Sequence, residues 1–265
     1  MKHVLILIAA HCEPEVLKYT LGTWLEHYDG SYKATVAVSI QSNYDRFSDR
    51  RALIEEMAPP LRIVFLNAPD FPEHRMRFSL IHATCLRHLL HRCGDVPCTH
   101  VAFLDHDLEF KSDFIGWAME QDVDWVVSLF EDRKKMLFLE KDRTHWMPKP
   151  SIWHTVVSRR LLDKLMEDTN VILPDVVSGN LIYDTAAKML EYATSEWKMN
   201  VRVFPSTVFE EQVRHLWSLS FQYGPTTEGY HEKLRELQCR YRERFPDGIS
   251  HLLARIQEVP SGVSP

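Results

Sequence analysis

The chain is predicted to adopt an α/β fold built on a largely parallel sheet. Three observations lead there. Short, continuous apolar runs recur, the pattern of strands buried on both faces. Segments with helical spacing alternate with them. Polar residues gather just past the ends of the runs, where open parallel sheets bind ligands. A length of 265 residues suits one large domain or two small ones.

The first run, HVLILIAA at 3–10, is a strand. A helix comes at once: Val16, Leu17, Thr20, Leu21, Trp24, Leu25 and Tyr28 share a face, and Pro14 stands where a first turn tolerates it. Residues 32–40 give a second strand, 47–57 a short charged helix stopped by Pro59 and Pro60, and 61–66 a third strand. Helical spacing runs from Arg77 to Cys93. HVAFL at 100–104 is the fourth strand, SDFIGWAME at 112–120 a helix and DWVVSLF at 124–130 the fifth strand. Residues 131–150 are densely charged and read as a mobile loop. A strand and helix occupy 151–167, then a helix runs from Asp184 to Trp197 and a strand lies at 201–205. Leu234, Leu237, Tyr241 and Phe245 line one helix face, and 249–259 gives a last short helix. The predicted boundaries are a main domain over 1–225, a helical extension over 226–258 and a disordered tail over 259–265.

Composition narrows the function. Apolar residues at 45% supply a sizeable core and exclude general disorder. A net charge of -6 gives no global field for nucleic acid or an anionic membrane. Nucleic acid is therefore not favoured, although Lys134-Lys135 and Arg159-Arg160 leave room for a local basic groove. Five scattered cysteines form neither a disulfide framework nor a zinc pattern, which points to reduced thiols and a cytoplasmic location. Val4 to Ala10 is too short to span a bilayer, and neither a membrane span nor a cleaved leader is expected.

The sharpest local feature is HVAFLDHDLEF at 100–110, an apolar strand that runs into Asp105 and Asp107. Two acids this close repel each other unless a positive group lies between them or one is neutral. At a strand end both can face one cation, and Mg²⁺ and Mn²⁺ prefer oxygen ligands and bind diphosphates. His106, between them, is expected to face away from the metal and is counted with the cofactor-side residues. His11 and Glu13 come just after the first strand, where the next helix offers unpaired N–H groups to a nucleotide. Arg77 and, less strongly, Arg75 suit phosphate contact, since guanidinium forks match phosphate oxygens.

Several blocks together resemble the family 2 glycosyltransferases: ILIAAHCEPEVLKYTLGTWLEHY, FLDHDLEF, SIWHTVVSRRLLDKL and LIYDTAAKMLEYATSEWKMNVRVFP, within residues 4–225. The resemblance implies a GT-A fold, a Rossmann-like single domain. It also implies a nucleotide-sugar donor (a UDP-sugar ahead of a GDP-sugar), Mn²⁺ or Mg²⁺, and transfer with inversion. It makes Asp107 a metal ligand and Asp105 a contact to the metal or to the nucleotide's ribose, with His215 completing the metal site from the C-terminal part. It makes Asp184 the catalytic base, with Asp175 in reserve and Glu131 and Asp132 behind it. Two departures stand out. The second strand's turn is SIQSNYD, with no acid at its first position, so Gln41 or Asn43 must read the base. The glycine-containing segment after the third strand is replaced by PEHRMRFSLIHA. His154 and Trp153 are candidates for an acceptor-cleft wall, and 131–150 for a lid over bound donor.

The expected activity is thus a metal-dependent, inverting glycosyl transfer to an unidentified hydroxyl. The alternatives are a non-catalytic nucleotide- or glycan-binding module on the same fold, a retaining transferase, and a sugar-1-phosphate nucleotidyltransferase. The last normally has a Gly-rich basic loop after the first strand, where this chain has AAHCEPE.

Overall fold

β1 (His3–Ala10) carries the pattern that organises the molecule. Its residues alternate between two cores: Val4, Ile6, Ile8 and Ala10 enter one, and Leu5, Leu7 and Ala9 the other. A strand with period-two side chains and no polar face can only sit between two helical layers. In this computed structural model the residues described are 1–10, 14–41, 61–66, 77–129, 150, 154–173, 175–177, 180–183, 185–216 and 228–256.

From β1 the chain enters α1 (Pro14–His27), then β2 (Lys33–Gln41), β3 (Arg62–Leu66), α2 (Arg77–Cys93) and β4 (His100–Asp105). Next come β5 (Leu108–Phe110), α3 (Phe114–Met119), β6 (Trp125–Ser128), β7 (His154–Ser158) and α4 (Arg159–Glu167). After a 3₁₀ turn at Thr169–Ile172 come β8 (Asp175–Val177), β9 (Asn180–Tyr183), α5 (Ala187–Ser195), β10 (Val201–Phe204), α6 (Ser206–Gln212) and β11 (Val213–His215). α7 (Glu228–Arg244) and α8 (Ser250–Leu253) complete the described chain.

The main sheet has the order β10-β6-β7-β4-β1-β2-β3. Its pairings are parallel except those of β7, which runs against both β4 and β6. The expected α/β class, a mostly parallel sheet flanked by helices, is therefore present. α1, α3, α7 and α8 cover one face, while α2, α4 and α5 cover the other. Phe245, Ile249 and Ile256 join the same core as α1, so residues 228–256 are packed on the domain. Full burial of a Leu or Ile contributes about 1.5–3 kcal/mol relative to exposure. β1 and β4, apolar on both faces, are accordingly among the firmest parts of the sheet.

Some sequence expectations shift. The helix expected from Asp184 begins at Ala187, because Ala186 occupies the N-cap position in a left-handed conformation at φ 59. Two small antiparallel pairs, β5–β11 and β8–β9, were not foreseen, nor was α6. The expected helix at 47–57 and residues 131–149 of the expected lid at 131–150 lie outside the described residues. Pro150, the last residue of that segment, meets Leu129 in an antiparallel bridge.

Candidate metal centre

β1, β2 and β4 run parallel, so their carboxyl ends share one edge, and Asp105 is the last residue of β4, level with Ala9 of β1. Past Asp105 the chain turns tightly into β5, and α1 holds that turn in place. The Thr20 hydroxyl lies 2.5 Å from the His106 carbonyl and accepts the Leu108 N–H at 3.0 Å. One turn along, Thr23 accepts the Phe110 N–H at 3.1 Å. Both threonines are buried, which satisfies backbone groups that burial would otherwise leave orphaned.

The other edge of β5 pairs with β11, with His215 opposite Leu108. The Leu216 N–H extends the ladder by donating to the Asp107 carbonyl at 2.9 Å. This pairing carries a residue far along the chain to the acid pair. His215 Nε2 stands 3.4 Å from Asp105 Oδ2 and 3.4 Å from Asp107 Oδ1. All three side chains are buried, and one potential ligand atom from each lies within 4.8 Å of the others. Neighbouring ligands around a cation with bonds of about 2.1 Å stand about 3 Å apart, so small side-chain adjustments would close this set on an ion. Two carboxylates and one imidazole are donors that a divalent cation accepts. The cluster fits a divalent cation.

His82, from α2, is a residue that the sequence did not single out. Its Nε2 is 2.9 Å from the other oxygen of Asp105, Oδ1. Burial pushes the Asp105 carboxyl upward, but the charges and hydrogen bonds of His82 and His215 outweigh it and hold the group well below the ordinary carboxylate range. His154 behaves differently. Burial and the neighbouring His215 push it down to about 3 against the pull of Asp105, so it is neutral.

The structure brings Asp105, Asp107 and His215 together. It buries His106 completely, with Nδ1 3.1 Å from the Ala9 carbonyl of β1. His154 is not on an open cleft. It is buried with its ring centroid 4.9 Å from that of Phe209 and 5.8 Å from that of Phe114. Gln41 ends β2 on the same edge as Asp105, Arg77 is the first residue of α2, and Asp175 opens β8. His11, Glu13 and Asp184 lie outside the described residues, as do Asn43, Arg75, Glu131, Asp132 and Trp153. Nothing in sequence marked His82 among fourteen histidines, because its helical spacing is that of an ordinary core-facing position.

The α/β class follows from the sheet itself, and the solved structures that match the chain do so at low identity. One is described as the crystal structure of a mycobacterial protein, at 13% identity and a TM-score of 0.45, over 77% of this chain. The chain covers 65% of that protein's length. Another is the 4-diphosphocytidyl-2C-methyl-D-erythritol synthase of Anaerococcus prevotii DSM 20548, at 12% identity and a TM-score of 0.47, with 89% of this chain and 96% of the synthase covered. No protein-family model matches, and no curated protein matches. Among the described residues no helix is long and apolar enough to cross a membrane.

Proposed function

We propose that the chain is a divalent-metal-dependent transferase acting on a nucleotide-activated sugar, and that it delivers the sugar to an acceptor hydroxyl. The observation that carries this reading is the buried Asp105, Asp107 and His215 cluster at the carboxyl edge of a mostly parallel sheet. Asp107, His215 and Oδ2 of Asp105 hold Mn²⁺ or Mg²⁺. Once bound, the cation neutralises the diphosphate and the charge that develops on it as it leaves. Gln41, at the end of β2, reads the base. Arg77, at the start of α2, contacts phosphate, and His11 and Glu13 border the nucleotide. His106 supports the turn from behind. Asp184 takes the proton of the acceptor hydroxyl, which attacks the anomeric carbon from the face opposite the leaving group, so configuration inverts. The donor is a UDP-sugar ahead of a GDP-sugar. Buried, free Cys85 and Cys93 agree with a cytoplasmic enzyme.

The second reading, nucleotidyl transfer to a sugar phosphate or a similar small phosphate, uses the same cation and the same sheet edge. The products separate the two. The purified chain is incubated with Mn²⁺ and a panel of nucleotide sugars, and in parallel with nucleoside triphosphates and sugar phosphates. Glycosyl transfer releases a nucleoside diphosphate, whereas nucleotidyl transfer releases pyrophosphate. Chelation should stop turnover, and Asp107→Asn should leave less than about a tenth of the wild-type rate, equivalent to about 1.4 kcal/mol of barrier. Pyrophosphate release in place of nucleoside diphosphate would establish the second reading. Turnover that survives chelation would remove the metal from both.

A further inference from the structure

Asp105 has two oxygens, and the structure turns them to different partners. Oδ2 faces His215 and the candidate cation position at 3.4 Å, while Oδ1 is 2.9 Å from His82 Nε2. Topology explains why a residue of α2 reaches this place. α2 is the crossover between the parallel strands β3 and β4, so it runs against them and begins at their carboxyl edge. His82 falls in its second turn, and helical side chains lean toward the helix N-terminus. Its imidazole is therefore delivered to the end of β4, where it is 12% exposed. Among the described residues His82 is the α2 side chain that contacts an acid of the cluster.

We infer that His82 is a positioning residue for the metal centre: it holds Oδ1 of Asp105, so that Asp105 presents Oδ2 alone to the cation. This inference rests on the reading of Asp105, Asp107 and His215 as cation ligands. A free carboxylate can rotate about its last bond, bind a cation with one oxygen or two, or turn toward solvent. With Oδ1 held from α2, one geometry is selected before the ion arrives. Groups that orient metal ligands from outside the coordination sphere commonly change metal affinity by about ten- to a hundredfold when removed. The contact also ties the cluster to the helix that Arg77, the proposed phosphate contact, opens. A shift of α2 would then be felt at the ion as well as at the phosphates.

The experiment measures Mn²⁺ affinity by the electron paramagnetic resonance of free Mn²⁺, with no substrate present. Wild type, Asp107→Asn, His82→Gln and His82→Asn are compared, and thermal unfolding of each is recorded. The side-chain amide nitrogen of Gln falls near the position of imidazole Nε2, whereas that of Asn is too short to reach Asp105. Both replacements are polar, so fold loss is a lesser hazard than with an apolar substitution. The expected result is tight binding by wild type, loss in Asp107→Asn, a ten- to hundredfold weakening in His82→Asn and recovery to within about threefold in His82→Gln. If His82→Asn binds as wild type does, or if Gln is as weak as Asn, the positioning role is overturned while the metal centre stands. If wild type takes no Mn²⁺, the metal reading itself fails and this role falls with it.

Discussion

Burial alone would push the Asp105 carboxyl upward, and it is the imidazoles of His82 and His215 that hold it below the ordinary carboxylate range. The sequence problem of two adjacent acids at the end of an apolar strand has a physical answer at one of them: positive or proton-donating groups approach it from α2 and from β11. The acid pair could be read from sequence because a strand of Val, Ala, Phe and Leu has no structural use for charge at its end. His215 was legible only through resemblance, and His82 not at all, since no local signal says which turn of a crossover helix meets a strand end. Asp184 is the residue on which the proposed chemistry depends most. Asn in its place should leave donor binding unchanged and slow transfer about a hundredfold, the scale of a lost general base. Single-turnover transfer and nucleotide titration, run side by side, check this. If transfer stays within about threefold of wild type, Asp184 is not the base, and Asp175→Asn becomes the next variant to assay.

Elements were legible in proportion to their length and period. β1, β2 and β4 announce themselves through runs too apolar for any other place, and α1 through a continuous face. β5, β8 and β11 are three residues each, too short to show a period, and they exist because a distant segment pairs with them. The reversal of β7 left no mark either, since a strand buried on both faces reads alike in both directions. α5 begins later than its sequence suggests because Ala186 adopts φ 59, at a cost of about 1–2 kcal/mol that alanine gives no hint of. The docking of α7 and α8 onto α1 depends on one small residue. A Cβ on Gly22 would come within 2.6 Å of Phe245 Cζ and 3.0 Å of Ile249 Cγ2. Phe245 is itself buried, with its ring centroid 5.6 Å from that of Tyr241, so it has little room to retreat. Gly22→Ala should therefore lower stability by about 1–3 kcal/mol, although alanine is the better helix former. Urea denaturation with tryptophan fluorescence measures this. An unchanged or raised midpoint would mean that the C-terminal helices do not press on α1 in solution.

At the scale of the whole molecule, the two ends of the sheet differ in their electrostatics. The carboxyl edge holds the acid cluster, and the amino edge holds His3 on β1 and His100 on β4. Burial and the nearby Lys2 push His100 down to about 4. Burial and Lys33 lower His3, opposed in part by a hydrogen bond to the Pro97 backbone. Both fall below the ordinary imidazole value of about 6.5. Between about 4 and 6.5 the unfolded chain therefore binds protons that the folded chain refuses. Stability is fully present above that window and is lost as the pH falls through it, with a ceiling of about 1.4 kcal/mol per pH unit for a group such as His100. His154, pushed down to about 3, adds to the loss in the same direction. Asp105, held below the ordinary carboxylate range, acts only at still lower pH. His3 and His100 are both partly exposed, so solvent screening reduces their share below that ceiling. The test is the urea midpoint at pH 7, 5.5 and 4.5 for wild type and for His100→Gln, which takes up no proton in either state. The variant should lose less stability on acidification than wild type, while Mn²⁺ binding at pH 7 stays unchanged because the two ends of the sheet are far apart in the fold. Identical pH slopes for the two proteins would show that the amino edge does not resist protonation.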